Sequence, residues 1–160
     1  MTVLRASLAA LAFTALGALQ AQAQFAVQPA AAPAQPDIYV VMFRADYCAP
    51  CKIVEPALAN ALQSIADPRI EFVNIDIGAG NGSWNANAVF DRGIVAQYNM
   101  WLGVTGFAAV IDSSTKQTLG CVNMTYDQDS MASHIRNLQA AAQADRPSFD
   151  LTCPESNGVG

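Results

Sequence analysis

The chain has 160 residues, with 8 Lys+Arg against 13 Asp+Glu, a formal net charge of −5. That length suits one domain with a real core, and 52% apolar against 13% charged residues excludes wholesale disorder. The acidic balance argues against a general nucleic-acid binder, which needs a basic footprint, and four cysteines are too few for a disulfide-stapled miniprotein.

The N-terminus reads as a secretory signal peptide over residues 1–23. Arg5 supplies the positive start and Ala6 to Leu19 the apolar run. Ala21-Gln22-Ala23 gives the small-x-small pattern before cleavage, so Gln24 is the expected first mature residue. The apolar run is short for a membrane span, which needs about 20 residues, and no other segment is long and apolar enough to span. The mature protein is therefore expected to be periplasmic or secreted. Residues 24–36, ending FAVQPAAAPAQP, form an Ala/Pro-rich linker whose prolines discourage helix and central strand alike. The folded domain is expected over residues 37–144, with a C-terminal tail over 145–160.

Ile38 to Phe43 is a continuous apolar, β-branched run and predicts a buried strand. A helix is expected from about Ala49 to Ile65, with Cys51, Val54, Leu58, Leu62 and Ile65 on one face and a kink at Pro56. Residues 70–77 predict a second strand and residues 78–85 a Gly/Asn/Ser loop. One helix is expected from Asn87 to about Tyr98, with Phe90, Ile94 and Tyr98 in its inner row. Phe107 to Ile111 and Gln117 to Met124 predict a hairpin across a polar turn. Asp127 or Asp129 caps a last helix over about 130–143, with Met131, Ile135, Leu138 and Ala142 inward. The order βαβαββα implies an α/β fold with a mixed four-stranded sheet and helices on both faces.

The chemistry centres on Cys48-Ala49-Pro50-Cys51, where the first strand gives way to a helix. Free N–H groups at a helix N-terminus favour a thiolate on the first cysteine. The second lies one turn on, within reach to resolve a mixed disulfide. Such a pair after an apolar strand, in an exported chain, is a strong redox signal.

The stretch from Phe43 to Pro56 resembles the thioredoxin superfamily signature F-W-A-x-W-C-G-P-C-K-x-x-x-P, matching at Phe43, Ala45, Cys48, Pro50, Cys51, Lys52 and Pro56. Val73-Asn74-Ile75-Asp76 is similar to the strand that follows in thioredoxins, and Val95 to Met100 to the segment before their third core strand. The resemblance covers about residues 38–143 and implies a thioredoxin-like fold. It implies a protein-disulfide oxidoreductase in which Cys48 is the nucleophile and Cys51 the buried resolving thiol. Tyr47, Pro50 and Thr105 would line the substrate groove. Ala-Pro between the cysteines is closer to the Gly-Pro of reducing thioredoxins than to the histidine of strong oxidants, which favours a reductase. Its substrates would be protein thiols and disulfides. Its donor in an oxidising compartment would be a membrane-borne thiol carrier, and the exchange needs no bound cofactor.

Three departures stand out. The family's buried acid, six residues before the first cysteine, is Met42, and its partner lysine corresponds to Phe72. Together these avoid an unpaired buried charge but remove a proton acceptor for Cys51, a role open to Glu55. The family's cis-proline facing the cysteines has no counterpart; Thr105 or Ala108 falls near that place. The opening strand and helix of the family are expected to be absent, since only the Pro-rich linker precedes Ile38.

Cys121 and Cys153 either pair, clipping the tail to the sheet for about 3–4 kcal/mol, or remain a buried and a free thiol. His134, the single histidine, reads as a packing or surface residue, so a Cys/His zinc site is poorly supported. Residues 78–83 miss the third glycine of a dinucleotide fingerprint and read as a loop. Trp84 and Trp101 read as packing or groove aromatics. The competing function is a non-enzymatic module that binds a protein partner in an envelope or secretion assembly, or a dithiol carrier of Cu(I).

Overall fold

The computed structural model describes residues 35–78, 82–144, 146 and 152–156. The expected signal peptide and all but the end of the linker lie outside these residues, as do Ala79 to Asn81 of the glycine loop.

Strand β1 spans Ile38–Arg44, and its first six residues are all buried. The reason is its place: the sheet order is β2-β1-β3-β4, with β2 at Ile70–Asp76, β3 at Phe107–Asp112 and β4 at Thr118–Asn123. A central strand covered on both faces needs apolar side chains at every position. Alternation along β1 splits the core in two. Ile38, Val40 and Met42 join one cluster with Val54, Leu58, Ile135 and Leu138. Tyr39, Val41 and Phe43 join the other with Val89, Ile94, Trp101 and Phe107.

The first cluster is roofed by α1 (Cys51–Ile65) and α4 (Gln128–Gln143). Helix α1 buries Cys51, Val54, Leu58 and Ala61, spaced by three and four residues, and carries Pro56 inside it. Leu62 and Ile65 are half-buried at the margin of the same face. Asp127 caps α4 by accepting from the Ser130 N–H at 2.8 Å. The helix buries Met131, Ala132, Ile135, Leu138 and Gln139, with Ala142 packed at the rim. Helices therefore cover both faces of a mixed four-stranded sheet.

Three local expectations are corrected. The segment expected to be loop up to residue 85 is helical from Gly82, and α2 runs Gly82–Arg92. The single helix expected to Tyr98 is two, because Gly93 takes φ +66 and breaks the run before α3, Val95–Met100. The break rotates Phe90 out to 69% exposure, and Val89 and Ile94 face the core instead. The order is thus βαβααββα. Strand β1 pairs parallel with β2 but antiparallel with β3, although helices precede β3. The β3/β4 hairpin adds a second antiparallel pair.

The tail returns to the sheet. Cys153 is disulfide-bonded to Cys121 of β4. The Thr152 hydroxyl donates to the Cys121 carbonyl at 2.7 Å, and the Trp101 indole N–H donates to the Pro154 carbonyl at 3.1 Å. Trp101 is 2% exposed and meets Phe43 and Phe107 edge-on.

Candidate active site

The parallel pair β1/β2 and helix α1 meet at one end of the sheet, and the dithiol sits there. After Arg44 the chain turns tightly: the Cys48 N–H donates to the Ala45 carbonyl at 3.0 Å. Pro50 takes helical angles and forms the N-cap of α1, where its missing N–H costs nothing. The preceding Cys48 remains outside the helix, while Cys51 is its first residue.

Cys48 and Cys51 form a disulfide with Cα atoms 5.3 Å apart. The Cys51 N–H, free at the helix N-terminus, donates to Cys48 Sγ at 3.1 Å. The same donor would stabilise a Cys48 thiolate once the bond is reduced. Cys51 Sγ lies inward, 4.0 Å from the Phe43 carbonyl oxygen. Cys48 is 4% and Cys51 2% exposed. Tyr47 stands out beside them at 76% exposure.

The residue that closes the site is Gly106, which the sequence reading did not single out. Its N–H donates to the Phe43 carbonyl at 2.9 Å, so β3 begins against the end of β1. Its φ is +88, and a Cβ there would lie 2.7 Å from Pro50 Cβ and 3.5 Å from Cys48 Sγ. Only glycine fits both the angle and the space. The two residues expected near the family's cis-proline place lie on either side of Gly106, and Ala108 shares a buried cluster with Cys48 and Cys51. Thr105 is half-buried one residue earlier, and Ala108 is buried inside β3 opposite Met42. No cis peptide occurs among the described residues. A lone glycine opening an apolar strand was the available signal.

Met42 is fully buried beneath α1, whereas Phe72, opposite Val40 in the register, is 48% exposed. Met42 thus shares one buried apolar cluster with Cys48 and Cys51, while Phe72 lies near the surface. Glu55, the alternative proton acceptor, is engaged elsewhere: its Oε1 accepts from Arg44 Nε at 2.8 Å. Arg44 also pairs with Asp46 at 3.0 Å and with Asp76. These partners, Glu55 first and then Asp46, push the Arg44 guanidinium above its already high value. Lys52 is exposed on the first turn of α1. His134 lies on the first half of α4 and stacks on Tyr126, with ring centres 5.2 Å apart. No group of three His, Cys, Asp or Glu placed to hold a metal occurs among the described residues.

The thioredoxin family matches residues 21–89, a span that includes β1, α1, β2 and most of α2. Among solved structures, mitochondrial thioredoxin 3 of Saccharomyces cerevisiae is 20% identical, covering 64% of this chain and 80% of its own, with a TM-score of 0.39. Fasciola hepatica thioredoxin is 19% identical over 68% of this chain and 83% of its own, TM-score 0.38. The first thioredoxin domain of mouse protein disulfide-isomerase A4 is 16% identical over 78% and 76%, TM-score 0.41. No curated protein matches the sequence.

Proposed function

We propose, from a thioredoxin-like fold that carries a CxxC pair, that this protein is an exported thiol–disulfide oxidoreductase that works mainly as a reductant. The observation that carries the reading is the Cys51 N–H at 3.1 Å from Cys48 Sγ, at the start of α1. It supplies the donor that the attacking sulfur needs as an anion.

In the reduced protein the Cys48 thiolate attacks a substrate disulfide. A Cys48–substrate S–S bond forms, and the first substrate sulfur leaves as a thiolate and takes a proton from water. The Cys51 thiol gives its proton to solvent and attacks Cys48 Sγ. The second substrate thiolate leaves and is protonated. Two electrons have passed to the substrate, and Cys48–Cys51 is the disulfide seen here. A dithiol donor then returns two electrons by the same steps in reverse; in an exported protein we assign that role to a membrane-borne thiol carrier. Tyr47 and Pro50, beside the sulfur, would meet the substrate, with Thr105 at the margin.

Export rests on the sequence of residues 1–23. The Cys121–Cys153 tie suits such a compartment, since structural disulfides persist in oxidising ones. No helix of the described residues is long and apolar enough to cross a membrane.

Cys48→Ser should abolish turnover of a protein disulfide, and Cys51→Ala should accumulate a mixed disulfide on Cys48, visible by mass. In thiol–disulfide buffers the pair should poise near about −270 mV; a value of about −120 to −180 mV would make it an oxidase or isomerase. The near-complete burial of both cysteines favours a second reading, a binding module with a structural disulfide. A pair that exchanges in no buffer establishes that reading instead.

A further inference from the structure

Arg44 stands where the thioredoxin signature has tryptophan, and its surroundings give it a task. It is the last residue of β1, on the α1 side of the strand with Met42. Its side chain, 23% exposed, meets three carboxylates from three segments. Asp46 lies in the turn two residues before Cys48, Glu55 on α1 four residues after Cys51, and Asp76 at the end of β2. Two of the three arms thus flank the dithiol in the chain, one on each side. Asp76 is itself fixed. Its Oδ1 accepts from the Gly78 N–H at 2.8 Å, and its main-chain N–H donates to Asn85 Oδ1 at 3.1 Å. The carbonyl that Cys51 Sγ touches belongs to Phe43, in the peptide unit joined to Arg44.

We infer that Arg44 is the positioning residue of the dithiol, a guanidinium brace that holds the strand-to-helix turn and moderates the reducing poise that its three carboxylates give Cys48–Cys51. The inference rests on the oxidoreductase reading. One positive charge among three negative ones leaves a net −2 on the strand ends, turn and helix that hold the dithiol, which disfavours a Cys48 thiolate and favours the disulfide. Removing Arg44 leaves −3 and loosens the turn. Removing one carboxylate leaves −1.

The test equilibrates the wild-type chain and its variants in graded glutathione buffers and reads Cys48 alkylation by peptide mass mapping. Arg44→Gln should shift the equilibrium three- to tenfold toward the disulfide, about 15–30 mV more reducing. Arg44→Lys should shift it the same way by less, because an ammonium keeps the charge but not the planar fork. Glu55→Gln should shift it the opposite way, toward the dithiol. General damage to the fold would move all three alike. Potentials within twofold of wild type for folded Arg44→Gln and Glu55→Gln overturn the inference, as do shifts of one sign. If Arg44→Gln does not fold, the sign of the Glu55→Gln shift decides. If the wild-type pair exchanges in no buffer, the oxidoreductase reading fails. Amide exchange in the disulfide form then judges the brace alone. At least tenfold faster exchange at Cys48, Lys52 and Ile53 in Arg44→Gln, or in Glu55→Gln if the first does not fold, supports it; unchanged rates refute it.

Discussion

Replacing Cys153 by serine cuts the tail loose from β4 while leaving the buried Cys121 side chain in place. The disulfide closes a loop with a sequence separation of 32 residues. Opening a loop of that size returns about 3–4 kcal/mol of chain entropy to the unfolded state. The bonds that depend on the docked tail are Thr152 to the Cys121 carbonyl, Asn123 to the Thr152 carbonyl and Trp101 to the Pro154 carbonyl. Urea unfolding followed by tryptophan emission should show the midpoint falling by about 1.5–2 M. The melting temperature should fall on the order of 15 °C. Emission of the folded variant should move to the red, since Trp101 loses its cover and its acceptor. A loss under about 1 kcal/mol with unchanged emission would refute the entropy argument and show that the tail docks without its covalent tie.

Gly106→Ala should lower stability by about 1–3 kcal/mol, because alanine is strained at φ +88 and its Cβ meets Pro50; a fully stable variant with unchanged Cys48 alkylation would count against that contact. Leu58→Ala, at 1% exposure under the sheet, should cost about 2–5 kcal/mol in urea unfolding with the CxxC chemistry intact. Three carboxyls are held below the ordinary carboxylate range. Asp67 is held by the Arg69 side chain and Asp127 by the Ser130 hydroxyl. At Asp112 burial pushes upward, and hydrogen bonds from Ser114 and Thr115 outweigh it. A depressed folded pKa gives stability that is full above the unfolded value, about pH 4, and lost as pH falls through the folded value. The urea midpoint should therefore decline between about pH 4 and pH 2, less steeply in Asp112→Asn; a flat profile would contradict these assignments.

The strongest local signals were those in which one segment carries its own reason. The run Ile38 to Phe43 could only be a strand covered on both faces, and the spacing of Cys51, Val54 and Leu58 could only be one helical face. The CxxC pair at their junction follows from those two elements and needs no partner from elsewhere. Signals that depended on distant neighbours were read less well. Phe90 looked like a core residue until Gly93 broke the helix and turned it outward. Thr105 and Ala108 drew attention as candidates for the place facing the sulfurs. Gly106, between them, packs against Pro50 and Cys48 and has no side chain to advertise it.

Sequence alone therefore determined the elements and the reactive pair, because periodicity, helix-breaking residues and a three-residue spacing act within one stretch of chain. Tertiary structure decided the antiparallel docking of β3 on β1, the Cys121–Cys153 tie and the three carboxylates around Arg44. Each brings together separate segments of the chain, although Asp46 lies only two residues from Arg44. Their pairing is set by which surfaces meet when the two cores close, and no local pattern encodes it.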